Sequence, residues 1–343
     1  MINNNSKFGV GLWLILGFSL QACDSKSLDK QNNSNPNADA PEEVVFSRMP
    51  SGTCSNQAPS GELVATRIPA TTTTSEVTSL YEGPVWINGA LYFSDFSFTE
   101  GFPSRIQKLY ISGKMTLFMD DSGSNGLAAD AQGNIIAATH KFKGVSLYDV
   151  KTGKRTSLAS QFEGNVFNSP NDLTMTRDGV LYFTDPDYQK DAAPGGQNKT
   201  RVYRVSQDGK VTVVEEGLYN PNGIALSPDE KYLYVVGNQP LSKLGELRKY
   251  KIVDSVPQEG VIIATGLNVP DGMAVDCAGN IYVAEHLARQ VRVYTSEGQE
   301  LANIKVDANV TNVAFGGDEN KTLFITGAGA VWKIDLNISG SAY

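Results

Sequence analysis

Histidine is nearly missing from this sequence: 343 residues contain two, His140 and His286. Cysteine is scarce as well, at three. Neither histidine lies in a zinc spacing, and Cys54 and Cys277 have no thiol close by in sequence, which removes zinc and thiolate metal motifs. An excess of basic side chains is also missing. Twenty-nine Lys and Arg against 37 Asp and Glu leave a net charge of −8, the wrong sign for a phosphate backbone, so nucleic acid is not an expected partner. There is no G-x-S-x-G elbow and no usable Ser-His-Asp order, which argues against a serine nucleophile. No capped, periodic helical segment of useful length can be found. What the chain has in quantity is turn chemistry, 33 Gly and 15 Pro, in a 41% hydrophobic and 19% charged background. That mixture favours many short strands in a soluble globular body.

The N-terminus reads as a targeting segment. Residues 8–20 form an apolar run too short to span a bilayer comfortably, behind a short polar start carrying Lys7. Leu20-Gln21-Ala22-Cys23 follows and resembles a bacterial lipoprotein signal, with Cys23 the lipidated residue; an ordinary signal peptide cleaved after Ala22 is the alternative. Residues 1–22 are thus expected to be a leader. Residues 23–60, rich in Ser, Asn, Asp, Gln and Pro, are expected to be a flexible tether, and 61–343 the folded domain. Export to a membrane-anchored position facing the periplasm or the cell exterior follows, with the membrane met only through the lipid. An oxidising compartment permits a Cys54–Cys277 disulfide, although two separate thiols fit the sequence equally well.

One pattern recurs through the rest of the chain: a polar residue, a small or polar residue, a short apolar run, a turn, then an apolar strand. Its copies are EGPVWINGALYFSD (82–95), NGLAADAQGNIIAATH (125–140), NDLTMTRDGVLYFTD (171–185), NGIALSPDEKYLYVVG (222–237), DGMAVDCAGNIYVAEH (271–286) and TNVAFGGDENKTLFITG (311–327). All but the last are followed by two further strand-like runs. The spacing is that of a propeller blade, so an all-β, six-bladed β-propeller of four-stranded antiparallel blades is expected. The last copy is one strand short. Residues 63–68 (LVATRI) are the candidate to complete it, closing the ring without an open edge.

In a propeller the first strand of every blade lines the central channel, and all run the same way. Their opening residues, Glu82, Asn125, Asn171, Asn222, Asp271 and Thr311, therefore converge on one rim. Crowded carboxylates repel unless something compensates. An oxygen-only set of acids and amides suits Ca²⁺, which accepts carboxylate, carbonyl and water oxygens in flexible geometry. Each Asn or Asp also makes an ordinary turn cap, the structural alternative. The second strands return to the rim, bringing Asp95, Thr139, Asp185 and Glu285, followed at once by His140 and His286 in blades two and five.

EGPVW (82–86), NSPNDL (168–173), YFTDP (182–186), YNPNGIALSPDEKYLYV (219–235), PDGMAVDCAGNIYVA (270–284) and TNVAFGG (311–317) resemble the gluconolactonase, senescence-marker-protein and luciferin-regenerating family, over about residues 75–335. NSPND with YFTDP is most similar to its bacterial gluconolactonase branch. The resemblance implies a six-bladed propeller with a divalent ion, usually Ca²⁺, at the channel mouth. It implies Glu82, Asn222 and Asp271 as metal ligands, Asn171 as a ligand to metal or substrate, and Asp271 as general base. His140 falls where the related paraoxonases carry one histidine of a catalytic pair. Asn125 takes the partner's place, so a histidine pair is not expected.

The expected chemistry is hydrolysis of a sugar lactone by a monomeric enzyme. It needs a polarised carbonyl, an activated water and a stabilised oxyanion, with Asp271 or His140 moving the proton. Asn125, Asn171, Asp185 and His286 are the candidate substrate contacts. A related phosphoester or aryl-ester hydrolase and a non-catalytic ligand-binding propeller are the alternatives. The insertion after Asp185 (DYQKDAAPGGQN) is expected to be a mobile lid or specificity loop, and FSFTEGF (96–102) an apolar wall.

Overall fold

The structure is a computed structural model that describes Cys54 and residues 57–73, 79–239 and 244–341, all within one unit, Phe46–Tyr343. The proposed leader, Cys23 and nearly all of the proposed tether lie outside the described residues. Short apolar strands separated by Gly-, Asn- and Asp-bearing turns pair with their sequence neighbours and form six blade sheets, beside a small two-stranded ribbon of Gln161–Phe162 and Asn165–Val166. Blade one is built from Leu80–Ile87, Ala90–Phe96, Ser104–Tyr110 and Met115–Met119, and the same inner-to-outer order repeats in every blade. The described residues hold only three short 3-10 turns besides strands and loops, and no helix long and apolar enough to cross a membrane.

Ring closure differs in detail from the expectation of one strand over residues 63–68. The segment splits between two blades. Gly61–Val64 lies parallel to the outer strand of blade five, Glu300–Lys305, with Gly61 opposite Ala302. Thr66–Arg67 then pairs antiparallel with Ala330–Asp335 and completes blade six. Buried Ala65 marks the crossing and donates its N–H to Lys305 O at 3.0 Å. Arg67 secures the second half: its guanidinium reaches Asp307 at 3.0 Å and lies over the Trp332 ring. Cys54 and Cys277 are joined by a disulfide, which decides between the two readings of the cysteines.

The core is a ring of six apolar clusters, one between each pair of adjacent blades. In one of them Val85, Ile87 and Tyr92 of blade one meet Leu127, Ile135 and Ala137 of blade two. In the next-but-one, Val180 and Tyr182 of blade three meet Leu233 and Val235 of blade four. Strand alternation explains the sequence here. Phe183 points to blade two and its neighbour Tyr182 to blade four, so both faces of an inner sheet are buried and the strand reads as a continuous apolar run. Adjacent blades pressed together in this way bring the inner strands to the axis, where the polar residues lie.

Candidate functional site

Each inner strand loses its regular pairing at its opening. Register shifts interrupt the ladder between Glu82 and Val85, Ser124 and Leu127, Pro270 and Met273, and Val310 and Asn312. In blades three and four pairing starts only at Leu173 and Ile224, just after the Pro-Asn-Asp and Pro-Asn-Gly triplets. A bulge turns a side chain off its sheet; of the opening residues Glu82, Asn125, Asn171, Asn222, Asp271 and Thr311, the structure brings Glu82, Asn222 and Asp271 within interaction range of one another, while the Thr311 hydroxyl is taken by Tyr81 O and Thr326. All six are buried, none more than 8% exposed. Glycine makes the close approach possible. A Cβ on Gly126 would stand 2.5 Å from Asn171 O, and one on Gly223 2.3 Å from Asp271 O. Both backbones use the proximity: Gly126 N–H bonds Asn171 O at 2.6 Å and Gly223 N–H bonds Asp271 O at 3.0 Å.

This mouth is short of hydrogen-bond partners. Both polar atoms of the Asn125 side chain, Oδ1 of Asn222 and Oδ1 of Asp271 are buried without any partner in the protein. Native proteins rarely tolerate such groups, because each costs a desolvation penalty of about 1–3 kcal/mol. The carboxylates are under matching pressure. Burial, then the nearby Asp172, pushes Glu82 up to about 8. Burial lifts Asp172 to about 7. Burial, then Glu82 and Asp172, holds Asp271 well above the ordinary carboxylate range. Unpaired amide oxygens beside acids that resist ionisation fit a hard cation, which would take up the oxygens and favour the charged carboxylates. Among the described residues no three His, Cys, Asp or Glu cluster closely enough to hold a metal by themselves; a cation here would also need amide oxygen, for which Asn222 Oδ1 is free.

The second-strand acids have other tasks. Asp185 is fully buried, and its two oxygens accept from the backbone N–H groups of Asn168 at 2.9 Å and Ser169 at 2.8 Å, fixing the chain that leads into Asn171. Asp95 accepts from Arg105 at 2.8 Å and Gln107 at 3.0 Å. Glu285 is bonded by Asn268 N at 2.9 Å and paired with Arg292 at 2.9 Å.

The two histidines occupy unlike settings. His140 is fully buried, with ring contacts to Phe96 and Phe102. Its Nε2 lies 2.8 Å from Phe102 O, which makes Nε2 the protonated nitrogen and leaves Nδ1 as an unpartnered acceptor. Burial lowers its pKa to about 4, so the ring is neutral at pH 7. His286 is the histidine nearest a mouth carboxylate: Nδ1 donates to Val310 O at 2.8 Å and stands 3.7 Å from Asp271 Oδ2. Burial lowers its pKa too.

Three side chains at the mouth were not singled out from the sequence: Asp172, Asn312 and Tyr188. Tyr188 belongs to the insertion after Asp185. The residue is 38% exposed, while its hydroxyl lies in hydrogen-bond reach of the Asn222 amide near Asp271, and its pKa is raised by burial and then by Asp271. The insertion itself is pinned in place. The buried Lys143 ammonium donates to the carbonyls of Asn168 at 2.8 Å, Gly195 at 3.1 Å and Lys190. Gln197 N–H bonds Asn168 Oδ1 at 2.8 Å, and Ser169 Oγ bonds Pro186 O at 2.7 Å. Within FSFTEGF, Phe96 and Phe102 pack against His140, and the exposed Phe98 packs against Phe96.

The sequence profile of the SMP-30/Gluconolactonase/LRE-like region matches residues 80–329, and the chain belongs to this family. A gluconolactonase of Zymomonas mobilis is 29% identical over 76% of this chain and 79% of its own length. A lactonohydrolase of Aspergillus oryzae is 29% identical over 61% of this chain; there the match spans only 54% of that relative. The solved structure of a Xanthomonas campestris gluconolactonase superposes with a TM-score of 0.67 at 26% identity, over 83% of this chain and 98% of the other.

Proposed function

We propose that this protein hydrolyses a sugar lactone at the channel mouth, with a divalent cation, Ca²⁺ by its donor chemistry, held by Glu82, Asn171, Asn222 and Asp271. The observation that carries the reading is the set of buried, unpartnered oxygens on Asn222 and Asp271 beside carboxylates that the fold pushes toward protonation. The relatives named gluconolactonase and lactonohydrolase support the substrate class. When bound, such an ion polarises the ester carbonyl and stabilises the oxyanion.

The remaining work falls to the chain. Hydrolysis adds a water oxygen to the carbonyl carbon, breaks the ring C–O bond and returns a proton to the departing ring oxygen. Asp271, buried beside Glu82 with Oδ1 unpartnered, would take the water proton through a carboxylate oxygen. The Asn125 amide offers a donor and an acceptor, both unpaired, for sugar hydroxyls. His140, neutral at pH 7 and held in one tautomer by Phe102, offers Nδ1 as an acceptor. The Tyr188 ring and the pinned segment around it restrict how a sugar ring can lie over the mouth. Export of the chain is part of the proposal, supported by the Cys54–Cys277 disulfide, which oxidising compartments favour.

Glucono-1,5-lactone turnover should be measured for the native protein beside Asp271→Asn and Glu82→Gln. The proposal expects both variants to lose at least about 100-fold in kcat/KM, the order seen when an acid–base or charge-stabilising group is removed. Undiminished turnover in both would exclude this site.

A further inference from the structure

Four of the six inner strands follow the mouth residue with glycine, at Gly83, Gly126, Gly223 and Gly272; blades three and six carry Asp172 and Asn312 instead. Three blades apart in a ring of six, these two side chains face each other across the channel and meet. Asn312 Nδ2 donates to Asp172 Oδ2 at 3.2 Å, and the same nitrogen lies 3.4 Å from Glu82 Oε2. The far sides of both groups are also engaged. Val313 N–H bonds Asn312 Oδ1 at 2.8 Å, and Leu173 N–H bonds Asp172 Oδ1 at 2.9 Å. The amide therefore cannot rotate to present its oxygen to the carboxylates without giving up the Val313 bond. The glycines leave room for this layer: a Cβ on Gly272 would stand 1.8 Å from Asn312 Cγ. Asp172 and Asn312 line one cavity together with the apolar side chains of Leu173, Ile224, Met273 and Val313.

We propose that Asn312 is a positioning residue that forms, with Asp172, the floor of the cation site and fixes the Glu82 carboxylate for metal binding. The inference rests on the reading that Glu82 is a cation ligand. Glu82 and Asp172 repel each other when ionised and are buried away from water. A neutral donor shared between them fixes their separation without adding charge. Outer contacts of this kind orient a ligand before the ion arrives, and their removal typically costs about 10–100-fold in metal affinity. Both polar atoms of the amide are engaged, by Glu82, Asp172 and the Val313 N–H, so it acts through Glu82 and not on the substrate.

A double-mutant cycle read by Ca²⁺ calorimetry tests this, using Asn312→Ala, Gly272→Ala and the combined variant. Asn312→Ala is expected to weaken Ca²⁺ binding about 10–100-fold. Gly272→Ala, whose methyl group must displace Asn312, is expected to do the same, and the combined variant to be little worse than Asn312→Ala alone. The Ca²⁺ concentration for half-maximal lactone turnover should rise in parallel while the lactone KM at saturating Ca²⁺ stays within about twofold, a split that general loss of structure would not give. Native Ca²⁺ affinity in Asn312→Ala, or a Gly272→Ala penalty that is undiminished on the Asn312→Ala background, overturns the proposal. A native protein that binds no Ca²⁺ overturns the cation reading beneath it, which is a distinguishable result.

Discussion

Without a cation, Glu82 keeps its proton up to about pH 8, against 4.5 for the free side chain. The folded chain thus binds protons more tightly there than the unfolded chain. The stability this gives is complete below about pH 4.5 and is lost as the pH climbs through about 8. Asp172, raised to about 7, and Asp271, raised well above its usual range, act in the same direction. Chelated protein is therefore expected to melt at a lower temperature at pH 8.5 than at pH 5.5, with Ca²⁺ reversing the loss at the higher pH; calorimetric melting at the two pH values checks this. His140 sets a contrasting expectation. With its pKa near 4 it stays neutral across this range, so the rate profile of the native enzyme should show no limb near pH 6.5. The meeting of Glu82, Asn222 and Asp271 was legible in the sequence because a repeat places equivalent residues at equivalent points. The burial of His140 was not, since it depends on Phe102, 38 residues away in another blade.

At the scale of elements, the segment after Asp185 illustrates how far loop composition can mislead. Its Gly and Pro content suggested mobility, yet one buried ammonium gathers three of its surrounding carbonyls. Lys143→Met keeps the length of the stem and removes the donor, leaving those carbonyls unpaired. The expected result is a several-fold rise in lactone KM as Tyr188 loses its fixed place, with Ca²⁺ affinity nearly unchanged; steady-state kinetics and calorimetry on the same preparation separate the two. The six hairpins were legible because turn residues and two-sided apolar strands recur in register. The division of residues 63–68 between blades five and six was not. That division depends on Ala65 fitting a particular gap and on Arg67 finding Asp307 and Trp332, both more than 200 residues away. Asp172 and Asn312 escaped notice for a similar reason. Each is an ordinary polar residue in the second slot of its repeat, and only closure of the ring brings them together.

For the whole molecule, the proposed function depends on a closed ring, because the four proposed ligands come from four different blades. Closure is held by the two short N-terminal strands and by the disulfide from Cys54 to Cys277, a sequence separation of 223. Cys277 sits in the turn at the far end of the inner hairpin of blade five, so the bond holds Cys54 on the face opposite the mouth. Replacing both cysteines with serine should lower stability by about 2–5 kcal/mol, read as a fall in melting temperature, while the lactone KM stays near native because the bond is remote from the mouth. The central claim is that the converging acids and amides bind a cation on which lactone hydrolysis depends, and it is tested most directly by one titration. Metal-stripped protein is supplied with Ca²⁺ while glucono-1,5-lactone hydrolysis is followed. Turnover that is lost on stripping and returns saturably, at one ion per chain, is the predicted result; full turnover by the stripped protein would contradict the account.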